Sequence, residues 1–264
     1  MSLVLRDDVA PGVVRLTLND DATRNSLSTG MIAALQSALQ ACEEDHAVGA
    51  IVIASTGKVF SSGHNLKELT ARRSDVDAGQ DYFAGVFGQC AKLMTSISHN
   101  RCAIIAEVDG LASAAGCQLV AACDLAYASP RAGFCTPGVS IGLFCSTPMV
   151  PLSRNVSSKH AMEMLLLGKV HDAAFAERIG LVNAVVPQNE LRSHVAEVAQ
   201  HIAGKSMAAV RYGKRLYHDQ RPLGLEDAYG LASAVMTRNM LDSAACEGLD
   251  AFISKRHPHW PELQ

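Results

Sequence analysis

Two short segments, about fifty residues apart, combine small residues with the start of a helix. They run Phe60-Ser61-Ser62-Gly63-His64-Asn65-Leu66-Lys67-Glu68-Leu69 and Asp109-Gly110-Leu111-Ala112-Ser113-Ala114-Ala115-Gly116-Cys117-Gln118-Leu119. Each segment joins an apolar run to a helix through a turn, and such turns leave backbone N–H groups without intrahelical partners. Two converging turns of this kind stabilise the negative charge that develops on a carbonyl oxygen. If the two segments meet in the fold, they would form an oxyanion hole.

Apolar runs precede both segments and would position them. Residues 50–54 and 103–106 read as buried strands, residues 14–18 alternate as in a half-buried strand, and residues 125–128 indicate a short further strand. Apolar spacing predicts a helix after a cap at Ser28, and the chain from Lys159 to Lys255 is mostly helical, with helices over 159–167, 173–179 and 190–205. The polar stretch 71–80 is predicted to be the most flexible.

This order of elements indicates an α/β fold followed by a helical tail. We predict an α/β core over residues 1–200 and a C-terminal helical region over residues 201–264. The length of 264 residues suits one large domain with such an appendage.

Composition excludes several classes of protein. Apolar residues make up 48% and charged residues 19%, which excludes a disordered chain. A net charge of −3 gives no basic surface for nucleic acid. No apolar run reaches the ~18 residues of a membrane span, and we identify no signal peptide before Arg6-Asp7-Asp8. The eight cysteines include no CxxC pair and are expected to be reduced core thiols. We expect a soluble, cytoplasmic protein.

Six ordered segments resemble the crotonase family, also called the enoyl-CoA hydratase/isomerase superfamily. Besides the two segments above, the matches are Arg24-Asn25-Ser26-Leu27-Ser28, Cys123-Asp124-Leu125-Ala126, Phe134-Cys135-Thr136-Pro137-Gly138-Val139-Ser140-Ile141-Gly142-Leu143 and Ala251-Phe252-Ile253-Ser254-Lys255-Arg256-His257-Pro258. The resemblance implies a spiral of ββα turns with a C-terminal helical trimerisation region. It also implies an acyl-CoA ligand whose thioester oxyanion is stabilised by the protein.

By this resemblance, the oxyanion donors are the backbone N–H groups of His64 and Ala115. The two glutamates of the hydratases are matched here by Gln118 and Gly138. Gln118 can hold a water molecule but exchanges no proton near neutral pH, and Gly138 has no side chain. A catalytic aspartate that some relatives carry further along is matched by Ser146. The chain is thus a divergent member in which standard hydratase activity is expected to be weak or absent.

Other polar side chains remain near the predicted site. The resemblance implies a substrate pocket that includes Ser62, Asn65, Cys145 and Ser146. His64 is either an acid–base group or an ordinary loop residue with its ring in solvent. Cys145 would be a nucleophile only if His64 lowered the pKa of its thiol. Glu68 is expected to be a surface charge or part of a lysine pair.

The family match also suggests residues that bind coenzyme A. These are Arg24, Ser26, Leu66, Lys67, Phe252 and Lys255, the last two from the tail or a neighbouring subunit. We expect no metal and no permanently bound cofactor, with coenzyme A entering as part of the substrate. The apolar residues of the tail predict an interface, and the resemblance implies a homotrimer or a dimer of trimers.

Three functional interpretations stay open at this point. The first is a crotonase-type acyl-CoA enzyme with altered chemistry, of the lyase or isomerase type found in fatty acid metabolism. The second is an acyl-CoA-binding relative that has lost catalysis and has a regulatory or carrier role. The third is a weak hydratase that uses a water molecule held by Gln118. The sequence does not specify the acyl chain.

Overall fold

The computed structural model describes residues 2–260. Its strands are Val4–Ala10 (β1), Val13–Leu18 (β2), Ala50–Ser55 (β3), Val59–Ser61 (β4), Ala103–Val108 (β5), Leu111–Ser113 (β6), Leu125–Ala128 (β7), Gly133–Cys135 (β8), His171–Asp172 (β9) and Ala184–Val185 (β10). Its α-helices are Thr29–Glu44 (α1), Leu66–Ala71 (α2), Gln80–His99 (α3), Ala115–Ala122 (α4), Ser146–Asn155 (α5), Ser158–Leu167 (α6), Ala173–Arg178 (α7), Leu191–Ala203 (α8), Met207–Gln220 (α9), Leu225–Met240 (α10) and Ser243–Ile253 (α11).

The strands form two sheets through a repeated ββα unit. The larger sheet has the order β1-β2-β3-β5-β7-β10 and the smaller one the order β4-β6-β8-β9. Each of β3, β5 and β7 is followed by a strand of the smaller sheet, and the chain then enters a helix. Pairing from β2 to β3, β5, β7 and β10 is parallel, as crossover connections through helices require. The predicted α/β spiral is confirmed.

The buried core explains why the strands are so apolar. All six residues of β5 and five of the six of β3 are buried, since helices cover both faces of the larger sheet. Helix α1 begins where predicted, because the Ser28 side chain accepts a hydrogen bond from Met31 N at 3.1 Å.

The sequence interpretation lacked several elements, among them an edge strand and two helices of the core. The Arg6-Asp7-Asp8 segment lies in β1, a strand at the edge of the larger sheet whose central residues are exposed. Helix α3 was missed, although Val86, Cys90 and Leu93 are buried at helical spacing. Helix α5 was also missed, because Pro148 and Pro151 lower its apparent helix propensity.

The last three helices are tied to the core by a lysine. Lys214 of α9 donates hydrogen bonds from Nζ to Ile97 O (2.9 Å), Cys102 O (2.8 Å) and Asp124 Oδ2 (2.7 Å). The lysine side chain is only 8% exposed, so its charge is matched by these acceptors. The division into 1–200 and 201–264 stays a prediction, and Met1 and residues 261–264 lie outside the described residues. Within residues 2–260, every helix is too short or too polar to cross a lipid bilayer.

Candidate functional site

The first predicted turn lies between β4 and α2. Gly63 has a φ of +86°, a left-handed conformation that glycine adopts without steric cost. Its carbonyl accepts a hydrogen bond from Leu27 N at 2.8 Å. Asn65 caps α2, because its side-chain oxygen accepts from two N–H groups of the first turn at 3.1 and 3.4 Å. Among residues 2–260, the backbone N–H of His64 has no hydrogen-bond acceptor.

The second predicted turn lies between β6 and α4. Ala114 has φ +50° and ψ −115°, a conformation that costs energy for a residue with a Cβ and that is concentrated at functional sites. Its N–H donates to Cys135 O at 2.9 Å, which holds the turn against β8. Ala115, the first residue of α4, is buried, and within the described chain its N–H also has no acceptor.

The two turns are in direct contact. A Cβ placed on Gly63 would lie 2.9 Å from the Cβ of Ala114 and 3.2 Å from the backbone nitrogen of Ala115. Gly116 packs so closely on Ser61 that a side chain there would overlap its backbone. The turns that carry the two unpaired amides therefore touch each other, as the predicted oxyanion hole requires.

The two positions that match the hydratase glutamates carry no carboxylate. Gln118 is 3% exposed, and its Oε1 has no hydrogen-bond partner among the described residues. Gly138 is buried in a 3₁₀ turn, Pro137–Ile141. A Cβ on Gly138 would lie 2.9 Å from Leu143 O and 3.0 Å from Cys145 Sγ. The thiol and a carbonyl therefore occupy the space from which a glutamate side chain would begin.

Three buried thiols lie around this position. Cys135 Sγ donates a hydrogen bond to Ser113 Oγ at 3.3 Å, and burial raises the pKa of the Cys117, Cys135 and Cys145 thiols. The hypothesis of an activated nucleophile at Cys145 is therefore not supported, because a raised pKa lowers the thiolate fraction. Ser146, the first residue of α5, is exposed. Residues 2–260 contain no His, Cys, Asp and Glu cluster that could hold a metal ion.

The ring of His64 does not point freely into solvent. Its Nδ1 lies 3.3 Å from Leu27 O, and the ring meets the edge of Phe87 with centroids 5.3 Å apart. Nε2 is buried and has no hydrogen-bond partner among the described residues. Burial lowers the pKa of His64 below its ordinary value of 6.5, although the Leu27 carbonyl and the Glu68 charge act in the opposite direction.

Glu68 is not the free surface charge that the sequence suggested. Its Oε2 accepts hydrogen bonds from Thr29 N at 3.2 Å and from the Tyr82 hydroxyl at 3.4 Å. Asn65 Nδ2 donates to its Oε1 at 3.4 Å. The carboxylate joins the starts of α1 and α2 to α3, and among residues 2–260 no lysine forms an ion pair with it.

The residues suggested for coenzyme A fall into two groups. Arg24 is exposed and its carbonyl accepts from Ser62 N at 3.0 Å, whereas Ser26 is buried and bonded to Thr23. Leu66 and Lys67 are exposed in the first turn of α2. These four residues therefore surround the first turn. Phe252 and Lys255 lie at the end of α11, which packs on α9 and α10, and Phe252 is 83% exposed.

Comparisons with known proteins identify the family of this chain. The family model described as Enoyl-CoA hydratase/isomerase matches residues 8–263. The chain belongs to this family. "Enoyl-CoA hydratase domain-containing protein 3, mitochondrial" from Xenopus laevis is 47% identical, over 94% of this chain and 83% of that protein. The human protein of the same name is 43% identical, over 94% and 80%.

Solved structures of family members superpose closely on the fold. The crystal structure of an enoyl-CoA hydratase from Mycobacterium smegmatis has a TM-score of 0.92 at 42% identity, covering 98% of this chain and 99% of that chain. The crystal structure of human enoyl coenzyme A hydratase domain-containing protein 3 gives the same score and identity, covering 98% and 100%. These matches confirm the crotonase fold with its C-terminal helical region.

The same names correct one prediction. The relatives from Xenopus laevis, rat and human are all named mitochondrial, so the cytoplasmic location predicted from the sequence is wrong. Membership of the enoyl-CoA hydratase/isomerase family does not by itself specify a cellular compartment. Reduced cysteines indicate a reducing environment, but they do not distinguish one reducing compartment from another.

Proposed function

We propose that this protein binds acyl-CoA thioesters and stabilises the oxyanion of the thioester with the N–H groups of His64 and Ala115. The contact between Gly63 and the Ala114–Ala115 turn is the observation that carries this proposal. Both amides lack an acceptor within residues 2–260 and would gain one from a bound carbonyl oxygen.

The chemistry at this site is proposed to differ from hydration. Hydration of an enoyl thioester needs one group to activate water and another to protonate the α-carbon, each worth about 10²–10⁴-fold in rate. Gln118 and Gly138 supply neither group. A weak hydratase that uses a water molecule on the free Oε1 of Gln118 is a lesser alternative.

A second candidate is a relative that binds acyl-CoA without turning it over, in a regulatory or carrier role. It is favoured by the tight packing at Gly138, because a glutamate cannot be restored there without moving Cys145 or the backbone of Leu143. In both cases coenzyme A is part of the ligand, held along Arg24, Ser26, Leu66 and Lys67, and no separate cofactor is needed.

The assembly is proposed to be a homotrimer or a dimer of trimers. A cavity of about 780 Å³ opens between α9 and α10, lined by Leu216, Val235 and Met236 among others. Leu241 and Phe252, which follow these residues in the sequence, are 79% and 83% exposed. Such an apolar surface favours burial against further copies of the chain, which would bring Phe252 and Lys255 to a neighbour.

Calorimetry and turnover assays on one acyl-CoA panel test the proposal. We expect micromolar to millimolar affinity for butyryl-CoA and crotonyl-CoA, and weaker affinity for free coenzyme A, which lacks the thioester carbonyl. No heat of binding up to millimolar concentration would overturn the proposal. Binding without turnover of any thioester would select the second candidate.

A further inference from the structure

Another cavity lies at the opposite end of helix α4 from the second oxyanion turn. It has a volume of about 480 Å³ and is lined by the last turns of α4 and α5, by the start of β7 and by α9. Ala121 and Ala122, at the C-terminal end of α4, form part of its wall, whereas Ala115 begins the same helix. Because a helix rises about 1.5 Å per residue, this wall lies roughly 10 Å from Ala115. The cavity is therefore separate from the proposed oxyanion hole.

Two guanidinium groups line this cavity without an acidic partner. Arg154 lies in the last turn of α5, and Arg221 follows α9. Arg154 Nη1 donates to Val150 O at 2.9 Å, and Arg221 donates to Arg154 O at 2.5 Å and to the Tyr217 hydroxyl at 3.5 Å. Within residues 2–260, neither arginine forms an ion pair. A guanidinium has five N–H groups, so most of these donors are free for a ligand.

The carboxylate of Asp124 also lines the cavity, but its charge is already matched. Its Oδ2 accepts hydrogen bonds from Lys214 Nζ and from Ile104 N, both at 2.7 Å. Lys214 is only 8% exposed, so this pair is held in place and the two charges cancel. Arg154 and Arg221 therefore leave the cavity with an excess of positive charge, which attracts an anion.

Much of the remaining wall is apolar. Leu125, Ile202 and Val210 line the cavity together with the two alanines of α4. An inorganic anion would contact the arginines and leave this apolar surface in water, whereas a hydrocarbon chain would cover it. A carboxylate matches the planar guanidinium group through paired hydrogen bonds. The volume also lies within the range of about 300–1,000 Å³ that small-molecule sites occupy.

We propose that this cavity binds a medium-chain carboxylate, whose charged group is held by Arg154 and Arg221 and whose chain lies along the apolar wall. The Tyr217 ring supports this arrangement, because the Arg221 Cζ atom lies 5.4 Å from its centroid. Both arginines are at C-terminal ends of helices, where a cation also stabilises the helix dipole. That structural role uses their charge but leaves the N–H donors available. The proposal is independent of acyl-CoA binding.

Calorimetry with octanoate, in a buffer without phosphate, tests the proposal. We expect millimolar or tighter affinity, and octanol, which has the same chain without the charge, should bind at least about tenfold more weakly. Arg154→Gln should lower the affinity for octanoate by a similar factor and keep the fold, because this side chain donates only within its own helix. Arg215→Gln is the matched control, since Arg215 lies on α9 but pairs with Asp219 outside the cavity.

The imidazole ring of His218 reports where octanoate binds. His218 lines the cavity, and its pKa is lowered by burial and by the charges of Lys214, His99 and Arg221, whereas Asp124 acts in the opposite direction. A carboxylate held by the arginines favours the protonated imidazole. Octanoate should therefore raise the pKa of His218 in an NMR titration. An unchanged pKa would place octanoate elsewhere and overturn the proposal.

The other outcomes are equally decisive. No heat of binding at millimolar octanoate, equal affinities for octanoate and octanol, or undiminished affinity in Arg154→Gln overturns the proposal. Displacement of octanoate by butyryl-CoA would place it at the oxyanion turns and would also contradict a separate site. If Arg154→Gln loses the native circular dichroism spectrum, Arg221→Lys carries the test. It keeps the charge but not the paired N–H groups, so it should also weaken binding.

Discussion

The oxyanion turns and the two carboxylate positions differ in which part of the residue they use. At the turns, the proposed functional groups are backbone amides of His64 and Ala115, so a change of side chain leaves them in place. At positions 118 and 138, a role in proton transfer would depend on the side chain, and Gln118 and Gly138 carry no carboxylate. The proposed function therefore keeps the binding of an oxyanion without the two carboxylates.

The largest effect is expected from an attempt to restore the carboxylates. The native protein should hydrate crotonyl-CoA at least about 10³-fold more slowly than a family hydratase, because two proton-transfer groups are missing. Gln118→Glu and Gly138→Glu should each gain little alone, since acid and base act together. The obstacle at Gly138 is steric, as its φ is not positive. Cys145→Ala removes the thiol, one of these obstacles, and leaves the Leu143 carbonyl, so the triple variant should gain more activity than the double variant.

Absorbance at the enoyl thioester band measures this hydration directly. Cys145→Ala alone is the control, because it opens space without adding a carboxylate and should stay inactive. Hydration by the native protein at an ordinary enzymatic rate would show that another group has replaced both glutamates.

Closing the space between the two turns should have the next largest effect. Gly63→Ala places a Cβ 2.9 Å from the Cβ of Ala114 and must push the turns apart, so the affinity for butyryl-CoA should fall about tenfold. Gly142→Ala is a matched control, since Gly142 also has a positive φ, of +77°, but open space around it. Gly142→Ala should cost about 1–2 kcal/mol in the free energy of unfolding, and Gly63→Ala should cost more because its Cβ also clashes. Equal affinities for butyryl-CoA in the two variants would contradict the oxyanion hole.

The next effect concerns assembly, which the C-terminal helices are proposed to mediate, and does not involve the oxyanion turns. Met236 of α10 is 72% exposed and lines the cavity against α9. Met236→Glu would place a charge in a buried interface and should release smaller species. Light scattering at micromolar concentration should give three or six times the 28.0 kDa of one chain for the native protein. Val76→Glu, at a fully exposed position, should keep that mass. A monomeric native protein would refute the assembly.

The sequence predicted most of what local patterns encode. Apolar runs located β3 and β5, and the Ser28 cap located α1, because these signals lie within a few residues of one another. The contact of Gly63 with Ala115 joins residues about fifty positions apart, and only the family resemblance predicted it. The role of Glu68 could not be predicted, because its partners Thr29 and Tyr82 lie on other helices.

The lack of a hydrogen-bond partner for Nε2 of His64 could not be predicted from the sequence either. It depends on where the Leu27 carbonyl and the Phe87 ring lie around the imidazole. The clash at Gly138 depends in the same way on Cys145 and Leu143, which follow it by only a few residues but fold back onto it. Such contacts come from packing, which residue types and spacing do not specify.

The smallest effect is expected from Glu68→Gln, which separates a structural carboxylate from a catalytic one. The amide keeps one acceptor oxygen but loses its charge, so urea unfolding should show a loss of about 1 kcal/mol. Glu163→Gln, which breaks only an exposed pair with Lys169, should change the free energy of unfolding by less than about 0.5 kcal/mol. Because the Glu68 charge favours the protonated imidazole, its removal should lower the pKa of His64 further, which an NMR titration of the ring measures. An unchanged pKa of His64 in Glu68→Gln would contradict this electrostatic contact.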